Sequence, residues 1–94
     1  MRPIPLKMRA EMAADPFYKT CVHLSEECMG RIEWDHVFTY GGKQVNEVWA
    51  ILPTCHWHHE NIVRFRRESQ RIAVSRATQE DLAKYPKKNW SLLR

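Results

Sequence analysis

The spacing of the cysteines and histidines constrains the fold of this chain more than any other feature. Cys21 and Cys28 are separated by six residues, and Cys55 lies three residues before His58. A chain of 94 residues buries a limited core, so it often needs a metal or disulfides for stability. Three cysteines fit a closed disulfide framework poorly, whereas cysteines clustered with histidines favour a metal site.

A structural zinc site is therefore predicted, with Cys21, Cys28, Cys55 and His58 as ligands. Three thiolates and one imidazole suit a closed tetrahedral site. The gap between Cys21 and Cys28 is wider than the usual two to four residues. Two alternatives stay open, namely His23 as a ligand with Cys21, and three reduced cysteines that bind no metal.

Two antiparallel strands are predicted in the middle of the chain. Residues 32–40 are β-branched and aromatic, and residues 45–52 form the return strand. Gly41-Gly42 is a turn signal between them, and Pro53 is expected to stop the second strand.

Helices are predicted on both sides of these strands. A short helix covers residues 6–14, and it ends before Asp15-Pro16. A second helix runs from about Cys55 to Val74, and a third covers residues 79–85 with Thr78 as its cap. The second helix has one buried stripe at three- and four-residue steps, formed by Ile62, Phe65, Ser69 and Ile72.

The charge of the chain is uneven. Residues 1–60 carry six Lys/Arg and eight Asp/Glu, whereas residues 61–94 carry nine and three. A basic C-terminal third indicates a polyanion such as DNA as partner, although it is also typical of a solvated helix face. The predicted contacts to nucleic acid are Arg64, Arg67, Arg71, Lys87 and Lys88. No apolar run approaches ~20 residues and no secretory signal is evident, so a cytoplasmic location is expected.

A second group of residues has the chemistry of phosphodiester hydrolysis. Asp35-His36 lies on the first predicted strand, and His59 lies where the long helix begins. A carboxylate and an imidazole can hold one divalent cation, while a neighbouring free imidazole activates water. Adjacent side chains of an ideal strand face opposite ways, so the strand must twist, bulge or end at this point.

These residues together resemble a known family. The Asp35-His36 pair, the Gly41-Gly42 turn and the segment Cys55-x-x-His58-His59 look like the HNH (ββα-metal) nuclease signature. Residues 33–59 are similar to the phage-type recombination-enhancement, RecA-dependent nuclease family. The resemblance runs from about Cys21 to Trp90, and it implies a DNA endonuclease that a RecA filament assists.

The resemblance also implies a role for each matching residue. His36 matches the general base, and Asp35 and His59 match the ligands of a catalytic divalent cation such as Mg²⁺. His58 replaces a cysteine as a ligand of the structural zinc, and Asn46 is the candidate for the middle Asn that orients the base. Asn46 lies further from Cys55 than is common in the family, and His56 is close enough in sequence to exchange roles with His58 or His59.

The expected fold is α+β: a zinc-stapled β-hairpin packed on one helix with short flanking helices. It is expected to be a single domain over residues 1–94, with an arm (1–20), a ββα core (21–75) and a basic helix and tail (76–94). The expected function is metal-dependent DNA cleavage of low sequence specificity. The alternatives are a non-catalytic zinc-finger-like nucleic-acid binding module and a zinc-dependent hydrolase of another substrate.

Overall fold

The computed structural model describes residues 3–93 and has an α+β architecture. The ends of the predicted domain, residues 1–2 and 94, lie outside these residues. No helix in the described part of the chain is both long and apolar enough to cross a membrane. The helices and strands, in chain order, are α1 (Leu6–Ala14), β1 (Ile32–His36), β2 (Thr39–Tyr40), β3 (Lys43–Gln44), β4 (Ile51–Cys55), α2 (His56–Glu60), α3 (Ile62–Arg76) and α4 (Gln79–Ala83). Short 3₁₀ turns cover Pro16–Lys19, Val48–Ala50 and Trp90–Leu93.

The central hairpin is antiparallel as predicted, but its strands have different bounds. The pairing of β2 with β3 leaves Gly41-Gly42 as a two-residue turn, and both glycines have positive φ angles, which the tight turn requires. The predicted return strand over residues 45–52 is wrong, because a 3₁₀ turn interrupts it and β4 begins only at Ile51. The main pairing is between β1 and β4, and it runs from Ile32 opposite Cys55 to His36 opposite Ile51.

Pro53 does not stop the strand, contrary to the prediction. It lies in the middle of β4, opposite Trp34 of β1. A two-stranded sheet has an outer edge on each strand, so a proline whose nitrogen faces outward removes no hydrogen bond from the ladder. The carbonyl oxygen of Pro53 also lies on this outer edge, where it accepts a hydrogen bond from the Val22 amide at 3.0 Å.

The long helix predicted from about Cys55 to Val74 is divided at Asn61. The backbone leaves helical geometry at this residue, which ends α2 and precedes α3. The Trp57 carbonyl accepts two hydrogen bonds from Asn61, one from its side chain at 2.8 Å and one from its backbone amide at 3.1 Å. The predicted stripe still faces inward, with Ser69 buried and Ile62, Phe65 and Ile72 partly buried.

Two hydrophobic clusters position these elements. The larger joins the hairpin to α3 and α4 through residues such as Leu52, Val74 and Leu82. The smaller joins the N-terminal arm to β4 through Met12, Tyr18 and Ile51. Because every residue of β4 is buried, both clusters hold this strand in place.

The flanking helices agree with the sequence. Helix α1 has the predicted bounds, and the Asp15 side chain that follows it accepts a hydrogen bond from the Phe17 amide at 2.9 Å. Thr78 and Asp81 form a capping box at the start of α4, which ends two residues earlier than predicted. The C-terminal tail docks on the protein, because Trp90 packs edge-on against Phe38.

Gly30 allows the cysteine loop to approach α2. Its φ angle is +85°, and a Cβ atom added there would lie 2.6 Å from the Cβ of His56. We expect Gly30→Ala to lose about 1–2 kcal/mol of unfolding free energy through its φ angle. It should lose a further ~1–3 kcal/mol through the steric overlap. Urea unfolding monitored by circular dichroism measures the loss.

Gly42→Ala is the matched control for this substitution. Gly42 has a φ angle of +80°, but nothing lies within 4 Å of its added Cβ atom. The control should therefore show only the φ penalty. Equal losses of stability in the two variants would contradict a steric role for the approach between Gly30 and His56.

Candidate metal centres and catalytic cleft

Three cysteines and one histidine form a cluster that can hold a metal ion. One ligand atom from each of Cys21, Cys28, Cys55 and His58 lies within 4.8 Å of the other three. The Nδ1 atom of His58 is 3.6 Å from the Sγ atoms of Cys21 and Cys28, and 3.1 Å from that of Cys55. A tetrahedral zinc site has S···N edges of about 3.6 Å, given its usual bond lengths. The geometry and the donor types therefore fit such a site.

The cluster assembles where the hairpin meets α2. Cys55 is the last residue of β4, and His58 lies in the first turn of α2. The Cys55 Sγ atom also caps this helix, because it accepts a hydrogen bond from the His58 amide at 3.5 Å. The loop that carries the other two cysteines is held at its far end by a hydrogen bond from the Trp57 amide to the Met29 carbonyl at 3.1 Å.

His23 takes no part in this cluster. Its Nε2 atom lies 2.7 Å from Ser69 Oγ, and its ring packs near that of His58 with 5.6 Å between centroids. The second ring nitrogen of His58 lies 3.4 Å from Ser25 Oγ, so Nδ1 is the nitrogen that faces the sulfur atoms. Of the alternatives that the sequence left open, the geometry favours His58 as the histidine ligand.

The protein environment changes the acidity of two of these thiols in opposite directions. Burial raises the pKa of Cys21 to about 11. Burial also raises the pKa of Cys55, but hydrogen bonds from the His58 amide and ring outweigh it and lower this pKa to about 6. Since thiolates are the species that bind metal, Cys55 offers a ready ligand, and a cation must displace the proton of Cys21.

A second group of polar residues lies between β1 and α2. Glu33 and Asp35 are two positions apart on β1, so their side chains share one face of the strand. His59 of α2 lies between them, with Nδ1 2.5 Å from Glu33 Oε1 and Nε2 3.6 Å from Asp35 Oδ1. His56, one turn earlier, places Nδ1 2.9 Å from the other oxygen of Glu33. Hydrogen bonds from His59 and His56 lower the pKa of Glu33 to about 2.

Asp35 is the less solvated of the two carboxylates. Its side chain is 14% exposed, and Oδ2 is buried with no hydrogen-bond partner among the described residues. Burial raises the pKa of Asp35, against the opposing effect of His59, His36 and Arg66. An unpaired, poorly solvated carboxylate oxygen beside an imidazole is a suitable ligand for a cation.

His36 is the last residue of β1 and contacts Asn46. Its Nε2 atom lies 3.1 Å from Asn46 Oδ1, and the amide nitrogen of Asn46 donates to the Pro3 carbonyl at 2.9 Å. The second contact orients the Asn46 amide so that its oxygen faces the ring. Nε2 of His36 is therefore the protonated nitrogen, and Nδ1 carries the free lone pair.

His36 and Asp35 border the same small cavity. It has a volume of about 40 Å³, which is enough for at least one water molecule, and Arg66 of α3 lies at its edge. On its other side His36 borders an open cleft of about 590 Å³, which is also lined by Arg9, Arg31 and Trp34. A nucleotide-sized group therefore has access to the ring.

The predicted nucleic-acid contacts lie on α3 and the tail. Arg64, Arg67 and Arg71 are exposed on α3, as is Lys87 in the tail, whereas Lys88 is partly buried with Nζ 5.6 Å from the ring centre of Phe38. Arg67 is engaged in part, because Nη2 donates to the Leu92 carbonyl at 3.5 Å. The three arginines give α3 an exposed basic face, and the same helix contributes Arg66 to the edge of the small cavity.

Sequence reasoning missed the role of Glu33 in this site. The available signal was its spacing of two from Asp35 on a strand, which places both carboxylates on one face. His56 and His59 are three positions apart at the start of a helix, which places both imidazoles on one side as well. Only the packing of α2 on β1 shows that these two faces meet.

Comparison with protein-family models, with curated proteins and with solved structures finds no match to this chain.

The cysteine cluster predicts a tightly bound metal ion. We expect about one per chain in the purified protein, since a closed four-ligand site contributes directly to folding. Cys55→Ser should lose the ion and lower the melting temperature. His56→Ala, a neighbouring exposed histidine outside the cluster, should keep it. Elemental analysis measures the metal content, and thermal unfolding measures the melting temperature. A wild-type protein that contains no metal, and whose melting temperature equals that of Cys55→Ser, would contradict the site.

Proposed function

We propose that the chain is a metal-dependent DNA endonuclease of the HNH (ββα-metal) type. The observation that carries this proposal is the arrangement at the end of β1. Asp35 and His59 approach to 3.6 Å, and the neighbouring His36 has its tautomer set by Asn46. A hairpin followed directly by the helix that carries His59 supports the HNH fold.

Asp35 and His59 would hold a divalent cation such as Mg²⁺. Two protein ligands leave the other coordination positions to water and to phosphate oxygens, which is the usual arrangement for Mg²⁺ in phosphoryl chemistry. The cation would supply charge stabilisation at the phosphate and at the leaving oxygen. Among the described residues, no third His, Cys, Asp or Glu joins this pair in one ligand group.

His36 is the general base of the proposed reaction. Its Nδ1 atom accepts the proton from a water molecule, while the water oxygen forms a bond to phosphorus. The bond from phosphorus to the leaving oxygen breaks, and that oxygen gains a proton from solvent. Asn46 holds the base through the other ring nitrogen and is a positioning residue.

Zinc is the metal proposed for the cysteine cluster, in a structural role. Three thiolates and one imidazole form a set that zinc favours and that leaves no open coordination position for substrate. The site ties together the loop, β4 and α2, all of which contribute to the placement of His59. The proposed catalytic cation is separate from it and exchangeable.

DNA is the proposed partner because of the basic residues around the cleft and on α3. Interactions of arginine and lysine with phosphates give affinity without sequence choice, so cleavage of low sequence specificity is proposed. Assistance by a RecA filament is proposed on the family resemblance alone, whereas a cytoplasmic site of action is proposed because the sequence shows no secretory signal. A zinc-finger-like binding module without activity is the alternative that the following test addresses.

Removal of the base should strongly slow cleavage while DNA binding is kept. We expect His36→Ala to reduce plasmid nicking in Mg²⁺ or Mn²⁺ by about 10²–10⁴-fold, the usual contribution of a general base. Added imidazole should restore part of the rate. Gel-based nicking rates and fluorescence anisotropy with labelled DNA measure cleavage and binding.

Lys43→Ala is the control for this experiment, because Lys43 is exposed at the tip of the hairpin. It should nick at the wild-type rate. If neither protein nicks with any divalent metal while both bind DNA, the non-catalytic binding module is the correct function. Equal nicking by wild type and His36→Ala would contradict the assignment of His36 as the general base.

The basic face of α3 should contribute to affinity on every DNA sequence. Substitution of Arg64 and Arg71 by alanine should weaken binding, and each phosphate that is no longer neutralised should reduce the salt dependence by about one unit of slope. Lys7→Ala on α1 is the control and should leave both quantities unchanged. DNA binding is titrated over a range of salt concentrations. If the double variant and the control bind DNA equally well, α3 is not part of the DNA interface.

A further inference from the structure

We infer that Glu33 is a positioning residue, whose carboxylate sets the ring tautomer of His59 and turns the lone pair of Nε2 toward Asp35. This inference rests on the proposed function, in which Asp35 and His59 hold the exchangeable cation. The sequence pattern assigns no role to Glu33, so the inference comes from its contacts alone.

A neutral His59 ring carries one proton, and two carboxylates lie close to its two nitrogen atoms. Glu33 Oε1 lies 2.5 Å from Nδ1, whereas Asp35 Oδ1 lies 3.6 Å from Nε2, which is beyond hydrogen-bond distance. A carboxylate can only accept, so the proton belongs on Nδ1 and points at Glu33. Nε2 is then unprotonated, and a neutral imidazole with such a free nitrogen is the form that binds a metal.

Without Glu33, the His59 ring could prevent cation binding by His59 and Asp35. The proton could move to Nε2, from which His59 would donate a hydrogen bond to Asp35 after a small ring movement. The two ligand atoms would then bind each other and exclude a cation. A carboxylate behind a ligating imidazole prevents this outcome and also makes the imidazole a better ligand.

Glu33 is itself held in place from several directions. Its second oxygen, Oε2, lies 2.9 Å from His56 Nδ1 and 3.5 Å from Arg31 Nε. His56 in turn places Nε2 3.3 Å from Glu60 Oε1, and its contact with Glu33 raises the pKa of its ring. Since both oxygens of Glu33 are engaged with side chains, it is placed to orient His59 rather than to bind the cation directly.

Three substitutions separate these roles. Glu33→Ala removes the acceptor, whereas Glu33→Gln keeps one oxygen that can accept from Nδ1 but loses the charge and the second acceptor oxygen. Glu60→Gln is the matched control, because Glu60 faces the His56 ring at Nε2, the nitrogen that points away from Glu33. All three proteins should keep the metal of the cysteine cluster and a wild-type circular dichroism spectrum.

Mn²⁺ binding without DNA is the first measurement, by electron paramagnetic resonance of the free ion. We expect Glu33→Ala to bind Mn²⁺ about 10–100-fold more weakly, the usual effect of removing such a partner. Glu33→Gln should regain most of this affinity, and Glu60→Gln should match wild type. Wild-type affinity in Glu33→Ala would overturn the inference, as would equal weakening in the alanine and glutamine variants, which would indicate a direct ligand.

The tautomer of His59 is the second measurement, by ¹⁵N NMR of the ring in the protein without catalytic cation. Wild type should show a protonated Nδ1 and an unprotonated Nε2, and Glu33→Ala should shift the proton toward Nε2. A protonated Nε2 in wild type would overturn the inference even if no variant folds. A wild type with the expected tautomer and Mn²⁺ site that cleaves no DNA would contradict the proposed function and support the positioning role.

Discussion

The junction between β4 and α2 is the constraint on which the rest of this structure depends. Cys55 ends the strand, caps the helix through its sulfur atom and faces the Nδ1 atom of His58 at 3.1 Å. The loop that carries Cys21 and Cys28 closes over this junction. One short segment therefore sets where the helix starts, which way it points and which of its faces meets β1. In a chain of 94 residues, a metal ion bound at this cluster would replace part of the stabilisation that a larger core supplies.

The two polar centres of the protein share this short segment but use it differently. His58 turns toward the sulfur atoms of the cysteine cluster, and His59, the next residue, turns toward the two carboxylates of β1. Consecutive positions on a helix are about 100° apart, so two neighbouring imidazoles can serve two separate sites. This arrangement links the integrity of the cysteine cluster to the geometry of the proposed catalytic pair.

Most local features of the fold could be predicted because short-range interactions determine them. The bounds of α1, the Gly41-Gly42 turn and the cap at Thr78 depend on proline geometry, positive φ angles and side-chain hydrogen bonds within a few residues. One of the errors concerns a long-range choice. Strand β4 tolerates Pro53 because the proline nitrogen lies on the edge of β4 that does not pair with β1. The pairing with β1 decides which edge that is.

The sequence by itself determined the set of candidate ligands, the α+β class and the basic surface, since these follow from residue types, spacing and periodicity. Only the tertiary structure decided which of these residues lie together in each site. The choice of His58 over His23 depends on packing against Ser69, and the contact of Glu33 with His59 depends on how α2 lies on β1. The physical reason is that a pattern along the chain defines the face on which a side chain lies. Which faces meet is decided by packing between elements that are distant in sequence.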